Sequence, residues 1–204
     1  MPQLQLVDWR REVQELYADV RRRAQDDPRE AWLAFRIRRD ALFRTHPQSP
    51  LDAQQRAQIT GLPYFRYDAA YRVMGTLQST SGPDRSVALP EGVLTMSPIA
   101  EVTFALAGQR CTLTMFWLAG YGGGLFLPFG DLTNGHETYG GGRYLYDTIK
   151  GADLGAQEMS VPLDFNFAYN PSCAYNDRWI CPLTPPENRL PVAVHAGEKA
   201  FQHE

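Results

Sequence analysis

Charged and amide side chains concentrate in the second half of the chain, between residues 131 and 198. Asp131, Asp164 and Glu198 are the carboxylates that general acid or base catalysis would use, and Arg143 lies between them in the sequence. Because Phe, Tyr and Pro surround these residues, we expect them to be partly buried. A buried carboxylate must be paired or hydrogen-bonded. We therefore expect Arg143, which binds a carboxylate through two parallel hydrogen bonds, to pair with one of the three acids.

Polar residues beside these charges predict a ligand site. The candidate ligand-binding residues are Thr138, Tyr139, Arg143, Asn166, Tyr169, Asn170, Glu187 and Asn188. With Tyr175, they predict a cleft that has Arg143 and the acids at its base and suits a small polar or anionic molecule. The alternative interpretation is a buried polar network that fixes long, proline-rich loops. No Gly-x-Ser-x-Gly motif is present, so the sequence has no signature of a serine nucleophile. If the site is catalytic, we expect Asp131 or Asp164 to act as general base.

Two thiols, Cys173 and Cys181, stand eight positions apart in the same region. Three interpretations remain open, in this order of preference: a pair of buried thiols, a reversible disulfide, or part of a metal site. A zinc site would need two further ligands, and His136 or His195 would have to supply them from distant segments. We therefore predict no metal site, with His136, Cys173 and Cys181 as weak candidates, and the sequence identifies no cofactor.

Two stretches carry a more particular pattern. The first is LFLPFGDLTNGHETYGGGRYL at residues 125–145, and the second comprises LDFNFAYNPSCAY (163–175), CPLTPPENRL (181–190) and AGE (196–198). Together they resemble the DUF1684 family, proteins of unknown function found widely in bacteria. The helical N-terminal part is similar to the shorter form of that family. The resemblance implies family membership and implies no mechanism.

The segments that must position these residues differ along the chain. Residues 1–72 contain 13 Arg, 10 acids and one Gly, whereas the remainder contains 7 basic residues, 13 acids and 16 Gly. In the first part, Trp9, Val13, Leu16 and Val20 recur at helical spacing and predict an amphipathic helix that ends near residue 25.

Two further helix starts follow in the N-terminal part. Asp27 and Pro28 supply a cap and a first helical residue, and Trp32, Phe35 and Arg39 continue the second helix. A third, short helix is predicted to begin at 49–52 and to be stopped by Gly61. The Arg clusters at 21–23 and 36–39 suit either an anion or RNA, or a solvated helix face. Interleaved acids favour the solvated face.

From residue 71 onward, the pattern predicts strands. Val102–Leu106 and Cys111–Trp117 alternate around a turn at Gly108, which is typical of a β-hairpin. The other predicted strands are Tyr71–Leu77, Val93–Met96, Leu125–Phe129, Arg143–Ile149, Val161–Phe167 and Leu190–Val194. The predicted fold is α+β and mainly β, with N-terminal helices (1–70) packed on an antiparallel barrel or sandwich (71–204) that has long C-terminal loops. We expect the two segments to form one compact domain.

Composition narrows the class of protein. The chain has 204 residues, 44% of them hydrophobic, and a net charge of −3, as in ordinary globular proteins. A pI near 5.8 argues against nucleic-acid binding. No apolar run is long enough to span a membrane, and no signal peptide is recognisable, so we expect a cytoplasmic protein. A homo-oligomer is compatible with the sequence.

Three functional hypotheses follow from the sequence. The first is a small-molecule-binding β-domain. The second is an enzyme, either a hydrolase or an isomerase, that uses acidic residues or a bound divalent metal. The third is a scaffold or interaction protein that docks through its Arg-bearing helices.

Overall fold

A computed structural model describes residues 1–89 and 92–202 of the chain. Its helices are α1 (Pro2–Arg23), α2 (Pro28–Thr45) and α3 (Ala53–Gln58). Helix α1 buries the predicted stripe except at its first position, where Trp9 is partly exposed. Helix α2 begins where predicted, because the Asp27 carboxylate accepts a hydrogen bond from the Glu30 amide at 3.0 Å.

Helix α3 begins later than predicted. Its cap is Asp52, which accepts from the Gln55 amide at 2.9 Å while the Gln55 side chain accepts from the Asp52 amide at 2.8 Å. This reciprocal capping box leaves residues 49–51 outside the helix. Ser49 instead closes a turn, in which its hydroxyl accepts from the Leu51 amide at 3.2 Å.

Seven strands make one curled antiparallel sheet, a half-barrel, in the described part of the chain. They are β1 (Arg72–Ser79), β2 (Arg85–Leu89), β3 (Gly92–Leu106), β4 (Gln109–Leu118), β5 (Gly124–Phe129), β6 (Arg143–Asp147) and β7 (Ser160–Asp164). The strand order is β6-β5-β4-β3-β1-β7, and β2 pairs with β3 as well. The predicted mainly-β fold with N-terminal helices is therefore confirmed, as is the β3–β4 hairpin at Gly108.

Several strand predictions need correction. The predicted strands at 93–96 and 102–106 are parts of the single long strand β3, and β2 was not predicted. Strand β7 ends at Asp164 because that side chain caps a 3-10 turn. The segment 190–194 is not a strand. Its backbone hydrogen bonds are scattered: Leu190 donates to Gly130, and Leu132 donates to Val192.

The helices and the sheet share one hydrophobic core. Leu16 and Val20 of α1 and Phe35 of α2 belong to the same buried cluster as Leu113 of β4 and Leu163 of β7. Burial of this shared apolar surface is the main force that holds the helical segment on the sheet. None of the described helices is long and apolar enough to cross a membrane.

The side chain of Asn188 replaces backbone hydrogen bonds that are missing between β4 and β5. The regular pairing ends at Phe116 with Phe126. Two positions further in the same register, Thr114 would pair with Pro128, which has no N–H to donate. The fully buried Asn188 side chain fills this gap. Its oxygen accepts from the Thr114 amide at 2.7 Å, and its nitrogen donates to the carbonyls of Thr114 (2.9 Å) and Pro128 (2.7 Å).

We expect Asn188→Ala to lower the free energy of unfolding by about 2 to 4 kcal/mol, because three buried backbone groups lose their partner. Asn188→Asp should be at least as destabilising at neutral pH, since a carboxylate would face two carbonyl oxygens. It should recover in part below about pH 4, where a protonated carboxyl can donate. Urea unfolding of the three proteins measures these differences.

A matched control is Asn176→Ala, because Asn176 is only partly buried and hydrogen-bonds Asp52 at 3.3 Å. This change should cost less than about 1 kcal/mol. Equal stability of wild type and Asn188→Ala would show that the hydrogen bonds of the Asn188 side chain do not stabilise the sheet.

Candidate functional site

Arg143, on β6, is fully buried and bound by the protein itself. Its guanidinium donates to the Asp131 carboxylate at 2.9 Å and to the carbonyls of Val194 (3.0 Å), Ala196 (2.5 Å) and Glu198 (3.1 Å). Burial lowers the pKa of Arg143, and the charge of Asp131 opposes that shift. Arg143 thus joins one carboxylate to three carbonyls of the C-terminal segment.

The Asp131 side chain closes a turn with the residues that follow it. One oxygen of Asp131 accepts from the Thr133 amide (2.9 Å), the Thr133 hydroxyl (2.6 Å) and the Val194 amide (3.1 Å). The Thr133 hydroxyl also lies 2.8 Å from the Thr138 hydroxyl. These side chains close the loop on its own backbone, as Asx turns do.

Asp164 and Asn166 form a separate cluster below α2. The Asp164 carboxylate accepts from the Asn166 amide nitrogen, and Asn166 makes two bonds with the backbone of Asp68, at 2.9 and 3.0 Å. The second Asp164 oxygen is buried without a hydrogen bond among the described residues, and it lies 3.7 Å from Arg72 Nε. Burial raises the pKa of Asp164 to about 6.

Glu187 and Asn188 lie away from both clusters. Glu187 is exposed and pairs with Arg85, whose Nε is 2.9 Å from its carboxylate. Asn188 fills the ladder gap described above. The structure therefore brings together Asp131, Thr138 and Arg143, and it separates them from Asp164 and Asn166.

A second buried ion pair joins the helices to the C-terminal segment. Glu198 is fully buried, and its carboxylate accepts from Arg39 at 3.2 Å, from the Asn170 amide at 3.0 Å and from the Tyr175 hydroxyl at 2.5 Å. Burial raises the pKa of Glu198, and Arg39 opposes that shift. The Arg39 guanidinium also packs 5.1 Å from the centre of the Tyr169 ring.

A cavity of about 60 Å³ opens beside this pair, and we call it the Arg39 pocket. It is lined by Trp9, Val13, Tyr17, Arg39, Phe43, Pro50, Tyr144, Lys150, Ala152, Tyr169, Asn170, Pro171, Ser172 and Tyr175. Four of these residues present a buried polar atom that has no hydrogen-bond partner in residues 1–89 and 92–202. The atoms are Tyr17 Oη, Arg39 Nε, Tyr169 Oη and Asn170 Oδ1.

Tyr169, Asn170 and Glu198 were predicted as site residues from the sequence. Arg39 and Tyr17 were not. The sequence does contain a signal for Arg39, because this residue continues the apolar stripe of Trp32 and Phe35 at helical spacing. The structure buries it accordingly, and it is only 6% exposed. A charge at such a position is rarely buried unless it is paired. The rim residue Lys150, which pairs with Asp147 at 3.2 Å, gave no signal.

A larger opening, which we call the tail groove, lies on the other side of Tyr175. Its volume is about 790 Å³, and α3, residues 59–63, His136, Glu137 and the segment 199–202 contribute to its walls. Tyr175 lines both openings. Arg143, Asn166 and Asn188 are among the lining residues of neither.

Among the weak metal candidates, Cys173 and Cys181 lie beside each other, and His136 lies elsewhere. The described residues contain no group of three or more His, Cys, Asp or Glu side chains placed to hold a metal ion. His136 lies in the tail groove, while His195 bonds Glu137 at 3.0 Å. All three cysteines are free thiols.

The raised pKa of Asp164 predicts a pH-dependent stability. As the pH rises, the unfolded carboxyl ionises near its ordinary pKa of 3.8 and the folded one near about 6. The contribution of Asp164 to stability should therefore be highest below about pH 4, fall between about pH 4 and 6, and remain lowered above that range. Asp164→Asn keeps the acceptor for the Asn166 amide but cannot ionise. It should exceed wild type by about 2 kcal/mol near pH 7.5 and lose this advantage near pH 3.5.

Chemical denaturation at the two pH values measures this difference. Asp164→Ala is the control, since it also removes the acceptor and should be less stable than Asp164→Asn at both pH values. An Asp164→Asn protein that is less stable than wild type near pH 7.5 would contradict the argument.

Comparison with known proteins gives a family. The family model described as "Protein of unknown function (DUF1684)" matches residues 57–199. Among solved structures, the chain is similar to an uncharacterized protein from Haloarcula marismortui determined by solution NMR. The two are 36% identical, the match covers 86% of this chain and 95% of that chain, and the TM-score is 0.64. No curated protein matches the chain. The chain belongs to the DUF1684 family of proteins of unknown function.

Proposed function

We propose that this protein binds a small molecule through a carboxylate head group placed in the Arg39 pocket. The observation that carries the proposal is that four residues lining one cavity each have a buried polar atom without a hydrogen-bond partner in the described part of the chain. A buried polar atom without a partner costs about 1 to 3 kcal/mol. A carboxylate can supply the partner missing from the three atoms that can donate, so the pocket gains more from such a ligand than a fully paired site would. Asn170 Oδ1 can only accept and would need a donor elsewhere on the ligand.

The chemistry of the four atoms selects the head group. Arg39 Nε carries a hydrogen and can only donate, Asn170 Oδ1 can only accept, and the hydroxyls of Tyr17 and Tyr169 can donate. Three donors around one cavity match a group with several oxygen lone pairs. A carboxylate offers about four such positions in a compact, flat shape.

Size sets a second condition. A cavity of about 60 Å³ is far smaller than the roughly 300 to 1,000 Å³ typical of sites that enclose a drug-sized molecule. The pocket therefore has room for a head group of a few atoms, and the rest of the ligand would extend past the rim. Lys150, whose side chain is 54% exposed, stands there with a second positive charge.

The proposal keeps Tyr169 and Asn170 from the sequence prediction and adds Tyr17 and Arg39. The polar atoms of Asp131, Thr138 and Asn188 are already bonded within the protein. Their arrangement supports the alternative role considered from the sequence, that of a network fixing loops.

Ligand binding is tested with acetate, lactate, succinate and citrate, each compared with its amide, by thermal shift and then calorimetry. We expect at least one carboxylate to raise Tm and its amide to bind more weakly. Tyr17→Phe and Tyr169→Phe should each weaken binding about tenfold, since each removes one hydrogen bond to the ligand. Without ligand, both variants should be at least as stable as wild type, and up to about 1 to 3 kcal/mol more stable, because the lost hydroxyl was buried without a partner.

Tyr146→Phe is the matched control, because the Tyr146 hydroxyl is bonded to the carbonyls of Gly155 (2.8 Å) and Pro162 (2.7 Å). This variant should lose about 1 to 2 kcal/mol of stability and keep its affinity. The opposite pattern, with affinity unchanged in Tyr17→Phe and Tyr169→Phe, would overturn the proposal. So would binding that is lost in Gln54→Ala, a change in the wall of the tail groove.

A further inference from the structure

Cys173 and Cys181 lie beside each other, and Cys173 directly follows two residues that line the Arg39 pocket, Pro171 and Ser172. Cys173 lies in a 3-10 turn (Ser172–Ala174), and its backbone amide donates to the sulfur of Cys181 at 3.3 Å. Each thiol affects the pKa of the other, in opposite directions. The Tyr139 hydroxyl is 3.5 Å from the Cys173 sulfur. The irregular backbone between the two cysteines therefore folds back and brings Cys181 into contact with Cys173.

The two thiols are not equivalent. Cys173 is partly exposed, whereas Cys181 is 9% exposed. The hydrogen bond from Cys181 lowers the pKa of Cys173 to about 6 against the effect of burial, and Tyr139 and Lys150 contribute in the same direction. The hydrogen bond to Cys173 and burial raise the pKa of Cys181. At neutral pH the exposed sulfur is thus the thiolate, and the buried one is its hydrogen-bond donor.

Cys111 provides a comparison inside the same chain. It is a buried residue of β4 and faces the hydrophobic core. Burial raises its pKa, as expected for a structural thiol. A reagent that needs an accessible thiolate should therefore distinguish Cys173 from Cys111.

We propose that Cys173 and Cys181 form a peroxide-reactive thiol pair, in which Cys173 attacks the peroxide and Cys181 resolves the product into a reversible disulfide. The inference does not depend on the proposed ligand binding. It uses the accessible sulfur as nucleophile and the adjacent buried sulfur as the resolving group, which is the usual arrangement of redox-responsive cysteines.

The chemistry balances with hydrogen peroxide as the oxidant. The Cys173 sulfur attacks one oxygen, the O–O bond breaks, and the departing hydroxide takes a proton to become water. Cys173 is then a sulfenic acid. The Cys181 sulfur, after losing its proton, attacks the Cys173 sulfur, and the S–O bond breaks with release of a second water. Two thiols and one peroxide give one disulfide and two waters, and a dithiol reverses the reaction through two exchange steps.

The test uses the reduced full-length protein, an equimolar amount of hydrogen peroxide and a count of free thiols. Of the three cysteines in the chain, we expect two to be lost and to return with dithiothreitol, and peptide mapping should join residues 173 and 181. Cys173→Ser should slow oxidation at least tenfold. Cys181→Ser should stop at a sulfenic acid on Cys173 that dimedone traps. Cys111→Ser should oxidise as wild type does.

Alkylation by iodoacetamide gives an independent readout. The rate at Cys173 should be half-maximal near pH 6 in wild type, and Tyr139→Phe should move this midpoint upward because the thiolate loses a hydrogen bond. The proposal fails if Cys111 reacts as fast as Cys173. It also fails if peroxide yields a disulfide between two chains, or a sulfinic acid at Cys173 with Cys181 still free.

Discussion

The guanidinium of Arg143 holds a part of the chain that has no regular secondary structure. Backbone carbonyls removed from water need hydrogen-bond donors, and strands normally supply them to each other. Residues 194–198 lie outside the seven strands and have only an isolated bridge, between Glu198 and Tyr64, so three of their carbonyls accept from Arg143 instead. A planar guanidinium suits this task because it carries five donors in a fixed geometry. Asp131 balances its charge, which would otherwise make full burial very costly.

The position of Glu198 follows from this arrangement. Arg143 binds its backbone carbonyl, and the side chain then reaches Arg39 of α2 together with Tyr175 and Asn170. The contact between helices and sheet is therefore apolar along most of its length and ionic at one end. Replacing such a buried pair with apolar residues is often neutral or stabilising. The ion pair does not require the buried hydroxyls of Tyr17 and Tyr169, and the proposed binding of a carboxylate depends on these two residues of the cavity wall.

Elements specified by neighbouring residues could be predicted from the sequence. The cap at Asp27, the stripe of α1 and the alternation around Gly108 all depend on contacts within a few positions, and the structure confirms them. Contacts between distant segments could not be predicted in this way. Asn188 is placed by the missing N–H of Pro128, sixty residues earlier in the chain. The segment 190–194 has strand-like composition, but the hydrogen bonds that a strand needs are taken up by residues 130–132 and by Arg143.

The ammonium group of Lys150 acts on both the Arg39 pocket and the pair of thiols at Cys173 and Cys181. Lys150 stands at the rim of the pocket, and its ammonium group also favours the thiolate form of Cys173. An anion bound beside Lys150 would offset that charge, so it would raise the pKa of Cys173 and reduce the thiolate fraction near neutral pH. By reciprocity, conversion of the thiolate to a neutral disulfide would raise the affinity for the anion, because the Lys150 charge would no longer be partly offset by the thiolate. The coupling acts through charge alone, and it would weaken as salt screens the partly exposed ammonium group.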